Sequence, residues 1–250
     1  MSKFIDALKR TAAPSISSIG FQTKTSVKKN PQLLVVASIV SDSKKALKVI
    51  GAAGMDALLI RSQSQFSLNE IHKAAGDVPV GLHLNGADIE SELPNSIDFI
   101  VYTMKMPLSF LNKTAVGKIM EIEPSLDLGS IRAINGLGSI IDAVMIGGDN
   151  GSLTIERLLS CQRLSDLIVQ PVVVSVDSTV KSSELVNLCE AGVDGIIITD
   201  VCTASAYGEI RKAVNELPAN SKRKSSNAAI VPKLNEKPAS DDGDDQEEDE

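Results

Sequence analysis

Between Asn30 and Leu217 the chain alternates two kinds of pattern. Short runs of consecutive apolar residues, rich in valine and isoleucine, are separated by longer stretches in which apolar positions recur with helical spacing. The runs are Leu33–Val36, Ala57–Ile60, Val80–Leu82, Phe99–Tyr102, Val116–Met120, Ala143–Ile146, Val172–Val174 and Gly195–Ile198. Runs this short, apolar on successive residues, suit strands covered on both faces, as in a parallel sheet flanked by helices. Their punctuation is regular. Every second run follows an aspartate (Asp56, Asp98, Asp142 and Asp194, spaced 42, 44 and 52 apart), and Pro31, Pro79 and Pro171 introduce the first, third and seventh. Proline at a strand's first position costs no ladder bond of consequence. The fifth run has no proline and is the least marked.

The stretches between carry helix signals. Lys44–Ala53 places Ala46, Leu47, Val49, Ile50 and Ala53 on one face and ends at Gly54, a C-terminal cap residue. Ser67-Leu68-Asn69-Glu70 has the form of a capping box before Ile71 and His72. Thr154–Ile168, Lys181–Ala191 and Thr203–Leu217 read as further helices. The connections after the third, fourth and fifth runs are poorer and predict helices of a single turn. Eight strands alternating with helices predict an α/β protein, and eight parallel strands close into a (β/α)8 TIM barrel. An open dinucleotide-binding sheet would carry a glycine fingerprint after its first strand. Val36-Ala37-Ser38-Ile39-Val40 has none, and Gly136-Leu137-Gly138 precedes a strand rather than following one.

The segment Ala191-Gly192-Val193-Asp194-Gly195-Ile196-Ile197-Ile198-Thr199, echoed at 53–60, resembles the penultimate segment of aldolase-type (β/α)8 barrels. Phosphate-binding synthases, flavin-dependent dehydrogenases and class I aldolases share that fold. The resemblance implies the architecture and a site at the C-terminal ends of the strands, not a reaction.

Composition adds boundaries. The chain has 250 residues, 43% hydrophobic and 23% charged, with mean hydropathy +0.07 and no run long enough to span a bilayer. Three cysteines without a Cys-x-x-Cys spacing argue against a disulfide framework and for a reducing, cytoplasmic setting. Met1-Ser2-Lys3-Phe4-Ile5-Asp6 lacks the features of a signal peptide. The net charge of −7 divides into +5 over residues 1–32, −8 over 33–218 and −4 over 219–250. Three segments follow: an N-terminal helical arm at 1–29, the barrel at 30–218 and a linker with an acidic tail at 219–250. The tail's last ten residues hold eight carboxylates, a composition expected to stay disordered and to solubilise. Phe4, Ile5, Leu8 and Ala12 give the arm an apolar face for plugging or flanking the bottom of the barrel, rather than for anchoring at a membrane. The absence of Trp, 3% aromatics and only one short basic cluster, Ser221–Ser225, argue against nucleic-acid partners. Homo-oligomerisation is left open.

In such a barrel the chemistry sits where strands end. The ends offer Ser38, Arg61, His83 with Asn85, Tyr102 with Thr103 and Lys105, Glu121 with Glu123, Gly147 through Asn150, Ser175 with Asp177, and Thr199 with Asp200 and Cys202. A Schiff-base lyase is disfavoured, since class I aldolases place their lysine on the sixth strand and Ala143–Gly147 contains none. The loops after strands seven and eight, Ser175–Thr179 and Thr199–Thr203, lack the glycines of a phosphate cradle and bring Asp177 and Asp200 instead. Their glycine-poor character and the short connections also disfavour a large enclosed cofactor, and none is expected. The mouth carboxylates show no metal-ligand spacing, so no metal site is expected either.

His83 is the one side chain at a strand end suited to proton transfer near neutral pH. The candidate catalytic residues are His83, Lys105 and Glu121. The candidate substrate contacts are Arg61, Asn85, Gly148, Asn150, Asp177 and Asp200. Two functions follow. The first is a small-molecule enzyme of lyase or isomerase type acting on a small anionic substrate. The second is a non-catalytic binding or scaffold barrel that lacks the phosphate cradle and the catalytic lysine.

Overall fold

The computed structural model describes residues 2–13, 31–39, 54–61, 71, 73, 75–84, 93–113, 115–148, 153–199 and 204–218. Eight parallel strands close into a barrel in chain order: β1 (Leu34–Ile39), β2 (Ala57–Ile60), β3 (Val80–Leu84), β4 (Phe99–Thr103), β5 (Gly117–Ile122), β6 (Ala143–Ile146), β7 (Val172–Val176) and β8 (Gly195–Ile198). β1 pairs with both β2 and β8, which closes the sheet. The chain is therefore a (β/α)8 barrel, as the pattern predicts. Helices α1 (Lys3–Ala12), α2 (Leu108–Lys113), α3 (Leu128–Gly136), α4 (Ile155–Leu167), α5 (Ser182–Glu190) and α6 (Ala204–Asn215) are the labelled helices among the described residues. The helix expected at 44–53, the capping box at 67–70 and the tail at 219–250 lie outside those residues.

The fifth strand, weakest in the sequence, is as long as any, at six residues. The helix after it is longer than the single turn expected. Asp127 caps α3, accepting from Ser130 N and Ser130 Oγ at 3.0 and 2.6 Å, and Ile131 and Ile134 bury its inner face. A good cap and two buried anchors sustain nine residues despite the glycines.

Strand parity sorts the core into two shells. Side chains alternate across a strand, so neighbouring residues serve opposite faces. Val35, Leu58, Leu82, Ile100, Val144, Val174 and Ile196 point outward to the helical layer. Leu34, Val36, Ala57, Leu59, Phe99, Val101, Ile119, Ala143, Met145, Val173 and Ile197 fill the barrel, together with Phe4, Ile5 and Leu8 of α1. The arm is thus a plug, with its apolar face inside the end where the strands begin. Phe4 packs on Phe99 with ring centroids 4.7 Å apart. Burial of three such side chains stabilises the closure by about 1.5–3 kcal/mol each. Gly117 makes the approach possible, since a Cβ there would lie 2.5 Å from Ile5 Cγ1 and 2.7 Å from Ser2 Oγ.

The repeated aspartates work at this same lower end. Asp56, Asp142 and Asp194 accept hydrogen bonds from the backbone N–H of Val35, Lys118 and Val172, at 2.8, 3.0 and 2.9 Å. In return each aspartate donates its own N–H to the carbonyl of the same residue. Asp98 departs from the pattern. Its carboxylate accepts from Ser2 Oγ, Lys3 N and Phe4 N at 2.7, 2.8 and 3.0 Å, clasping the first turn of α1. Lys9 pairs with Asp142 at 3.3 Å, and Arg211 of α6 grips Asp56 through two bonds of 2.6 and 3.2 Å.

Candidate active site at the strand ends

Continuing the inner parity upward by one pleat replaces carbon with polar atoms. Above the last apolar layer stand Ser38, Arg61, His83, Thr103, Glu121, Gly147, Ser175 and Thr199, one from each strand or from the residue following it. Tyr102, grouped with these ends in the sequence, belongs to the outer shell. It is a buried side chain that donates to Ile140 O at 2.6 Å, and burial raises its phenol far above the ordinary range. Parity alone would have excluded it.

The structure brings three of the candidate residues together. His83 Nε2 lies 2.8 Å from Glu121 Oε2, with side-chain exposures of 11% and 26%. Strands β3 and β5 are not neighbours. The contact spans β4, where His83 is level with Val101, and Glu121 with Thr103. Glu121 stands one pleat higher and its carboxylate turns inward over Gly147, where a Cβ would meet Oε1 at 2.8 Å. Glycine at the end of β6 is therefore the space in which Glu121 sits. The hydrogen bond with His83 holds the Glu121 carboxyl below its ordinary value, against the opposing effect of burial, and the charges of His83 and Arg61 add to the lowering. An ionised carboxylate only accepts, so Nε2 carries the proton in the dyad and Nδ1 of a neutral ring is the basic nitrogen.

Arg61 follows β2, and the register that pairs Ile60 with Leu82 sets it opposite His83. Burial lowers its guanidinium from the ordinary value while the charge of Glu121 opposes that change. Arg61 Nε is buried and, among the described residues, has no hydrogen-bond partner. The same is true of Ser38 Oγ, on a residue only 2% exposed. A buried donor left unpaired costs about 1–3 kcal/mol, so two of them on adjacent strands mark a place not arranged for stability alone.

The adjoining β7–β8 sector differs. Arg157 Nη2 donates to both Ser175 O and Ser175 Oγ, at 2.7 and 2.9 Å. Thr199 Oγ1 donates to Val176 O at 3.3 Å and lies 3.5 Å from Asp177 Oδ1. A cleft of about 200 Å³ opens here, lined by Arg157, Ser175, Asp177, Thr179, Lys181 and Glu184. Its two basic and two acidic groups balance, and His83 and Glu121 do not line it. Gly148 stands exposed beside Arg157, at a φ of 127° that favours glycine.

Lys105 occupies an exposed turn after β4, and among the described residues no hydrogen bond or ion pair joins it to His83 or Glu121. Asn85, Asn150 and Asp200 lie outside the described residues, as do Asp149 and Cys202. Cys161 and Cys189 are buried and unbridged, and burial pushes the Cys161 thiol up to about 11. Among the described residues no group of three potential ligands could hold a metal ion, and no helix is long and apolar enough to cross a membrane. Sequence reasoning missed Ser38 as a special position and Gly147 as a spacer. The signals were a polar residue ending an otherwise apolar inner face, and a glycine at a buried strand end.

No family model matches the chain, and no curated protein matches it. Its fold, however, is shared with solved enzyme structures. (S)-3-O-geranylgeranylglyceryl phosphate synthase from Thermoplasma acidophilum, in complex with sn-glycerol-1-phosphate, superposes with a TM-score of 0.59 at 13% identity, covering 87% of this chain and 100% of that one. A mutant tryptophan synthase α-subunit from Pyrococcus furiosus gives 0.58 at 15% identity, over 74% and 97%. Thiamine phosphate pyrophosphorylase from Pyrococcus furiosus gives 0.57 at 16%, over 75% and 98%. At such identities the likeness shows the (β/α)8 fold alone.

Proposed function

We propose that the chain is an enzyme of lyase or isomerase type that moves a proton on a small anionic substrate at the strand ends. The observation that carries this reading is the 2.8 Å contact between His83 Nε2 and Glu121 Oε2 on the inner face, beside Arg61. His83 is the acid and base. Glu121 fixes the ring's orientation and tautomer and stabilises the imidazolium that forms when the ring accepts a proton, as a carboxylate does for histidine in other proton-transfer sites. Arg61 binds the anionic group and sets the reacting carbon against the ring. The fold neighbours that act on phosphate compounds by name are consistent with small anionic substrates, while Asp177 and the bonded Ser175 and Thr199 disfavour a phosphate held in the β7–β8 sector.

Solvent exchange tests the reading without knowledge of the product. A panel of small carboxylates and phosphate esters with an acidic C–H is incubated with the protein in D2O and followed by proton NMR. Loss of one C–H signal is expected for at least one compound, slowed by about 10²-fold or more in His83→Asn. Absence of exchange across the panel with folded protein, or exchange unchanged in His83→Asn, would overturn the reading. The second reading, a non-catalytic binding barrel, draws support from the same saturated β7–β8 sector and from the separation of Lys105 from the dyad. It predicts ligand binding with no exchange.

A further inference from the structure

The unpaired donors at the mouth are unevenly distributed. Among the described residues Ser38 Oγ and Arg61 Nε, on the neighbouring β1 and β2, lack partners, whereas Ser175 of β7 and Thr199 after β8, the strand on the other side of β1, are bonded within the protein. The other two buried unpaired atoms among the described residues, Ser165 Oγ and Gln170 Oε1, belong to α4 and to the turn before β7, away from the inner face. Arg61 N donates to Ile39 O at 2.9 Å, which locks the two strand ends together, and Ser38 and Arg61 share the inner parity.

We propose that Ser38 and Arg61 form a carboxylate-binding subsite, and that the substrate's anionic group is a carboxylate seated at β1–β2 rather than a phosphate at β7–β8. This deepens the proposed function and rests on it for the role of His83. Geometry and charge select the ligand. Nε and its neighbouring Nη form a planar fork that fits the two oxygens of a carboxylate side-on, and Ser38 Oγ supplies a third donor. Glu121 is close enough to act electrostatically on Arg61, which offsets part of that guanidinium's charge and suits a monoanion better than a phosphate dianion. Arg61 lies opposite His83, so the carbon bonded to a carboxylate held there is the one presented to the ring. The class that follows is a short 2-hydroxy acid, which carries a hydrogen on that carbon.

The test uses the full-length protein, with lactate and inorganic phosphate as separate probes, and reads the Arg Nε–H resonances by ¹⁵N NMR. Lactate is expected to shift one Nε–H signal saturably, the one missing from Arg61→Lys, with a Kd at least tenfold below that of phosphate. Ser38→Ala is expected to weaken lactate by about tenfold, the loss of one hydrogen bond to a charged group, with a melting temperature unchanged or raised. His83→Asn is expected to keep lactate binding, so a failure of proton transfer and a failure of the subsite give different results. Phosphate binding as tightly as lactate, a shift that does not saturate, no shift at any Arg Nε–H, or undiminished lactate binding in Ser38→Ala would each overturn the proposal.

Discussion

The lower and upper ends of this barrel use the same eight strands and the same inner parity, yet they are built to opposite specifications. Below, Phe4, Ile5 and Leu8 fill the opening with carbon, and the polar groups there, the Asp98 carboxylate and the N–H groups of the first turn of α1, are matched to one another. Above, polar side chains occupy the equivalent face, and Ser38 Oγ and Arg61 Nε are left unmatched. The lower end carries stability, and the upper end gives some of it up, as the proposed site would require.

The comparison breaks most visibly at the plug. Phe4→Ala is expected to cost about 3–5 kcal/mol in chemical denaturation, as for other fully buried phenylalanines, while lactate binding at the mouth stays unchanged. A cost below about 1 kcal/mol would mean that the plug is not part of the cooperative core. Asp98→Ala should cost about 2 kcal/mol, because three donors lose a charged acceptor and two of them are only partly reached by water. Gly147→Ala should reverse the balance. Its Cβ would displace the flexible end of Glu121, costing about 1 kcal/mol or less of stability but separating the carboxylate from His83. The His83 ring resonances would report that separation. At the small end, Ser38→Ala should leave stability unchanged or raise it by up to about 1 kcal/mol, since it removes a buried group with no partner.

Acid sharpens the contrast. The Glu121 carboxyl lies below its ordinary value of 4.5 in the folded protein, so its contribution is present above that value and is lost as pH falls through the depressed folded one. Denaturation of wild type and Glu121→Gln from pH 7 to pH 2.5 should show the wild-type advantage shrinking below about pH 4.5. A constant difference across that range would show that Glu121 gains nothing from His83 on folding.

Much of the barrel was legible from residues alone. Strand number came from runs apolar on both faces, and the aspartate rhythm marked where alternate strands begin. The meaning of that rhythm was not legible, since Asp98 reads like Asp56, Asp142 and Asp194 but clasps α1 instead of a neighbouring strand. The dyad was half legible. His83 and Glu121 each stand at a strand end, but their contact depends on the stagger of a closed sheet that carries β5 one pleat above β3. Lys105 shows the converse. Proximity to a strand end in sequence is not contact: the lysine lies in an exposed turn, and among the described residues no bond joins it to the dyad. Strand parity, applied strictly, separates Tyr102 from Thr103 and would have sharpened the set of mouth residues.

The four aspartate clasps also carry an order of assembly. Those of Asp56, Asp142 and Asp194 join residues 21, 24 and 22 positions apart, so each closes a short loop within a single strand pair. The clasp of Asp98 on α1 joins positions 94 to 96 apart. Short loops lose less chain entropy on closing, so the strand pairs are expected to form before the helix finds its socket. Helix α1 is then the last element to dock, and changes at Phe4 should mainly speed unfolding rather than slow folding.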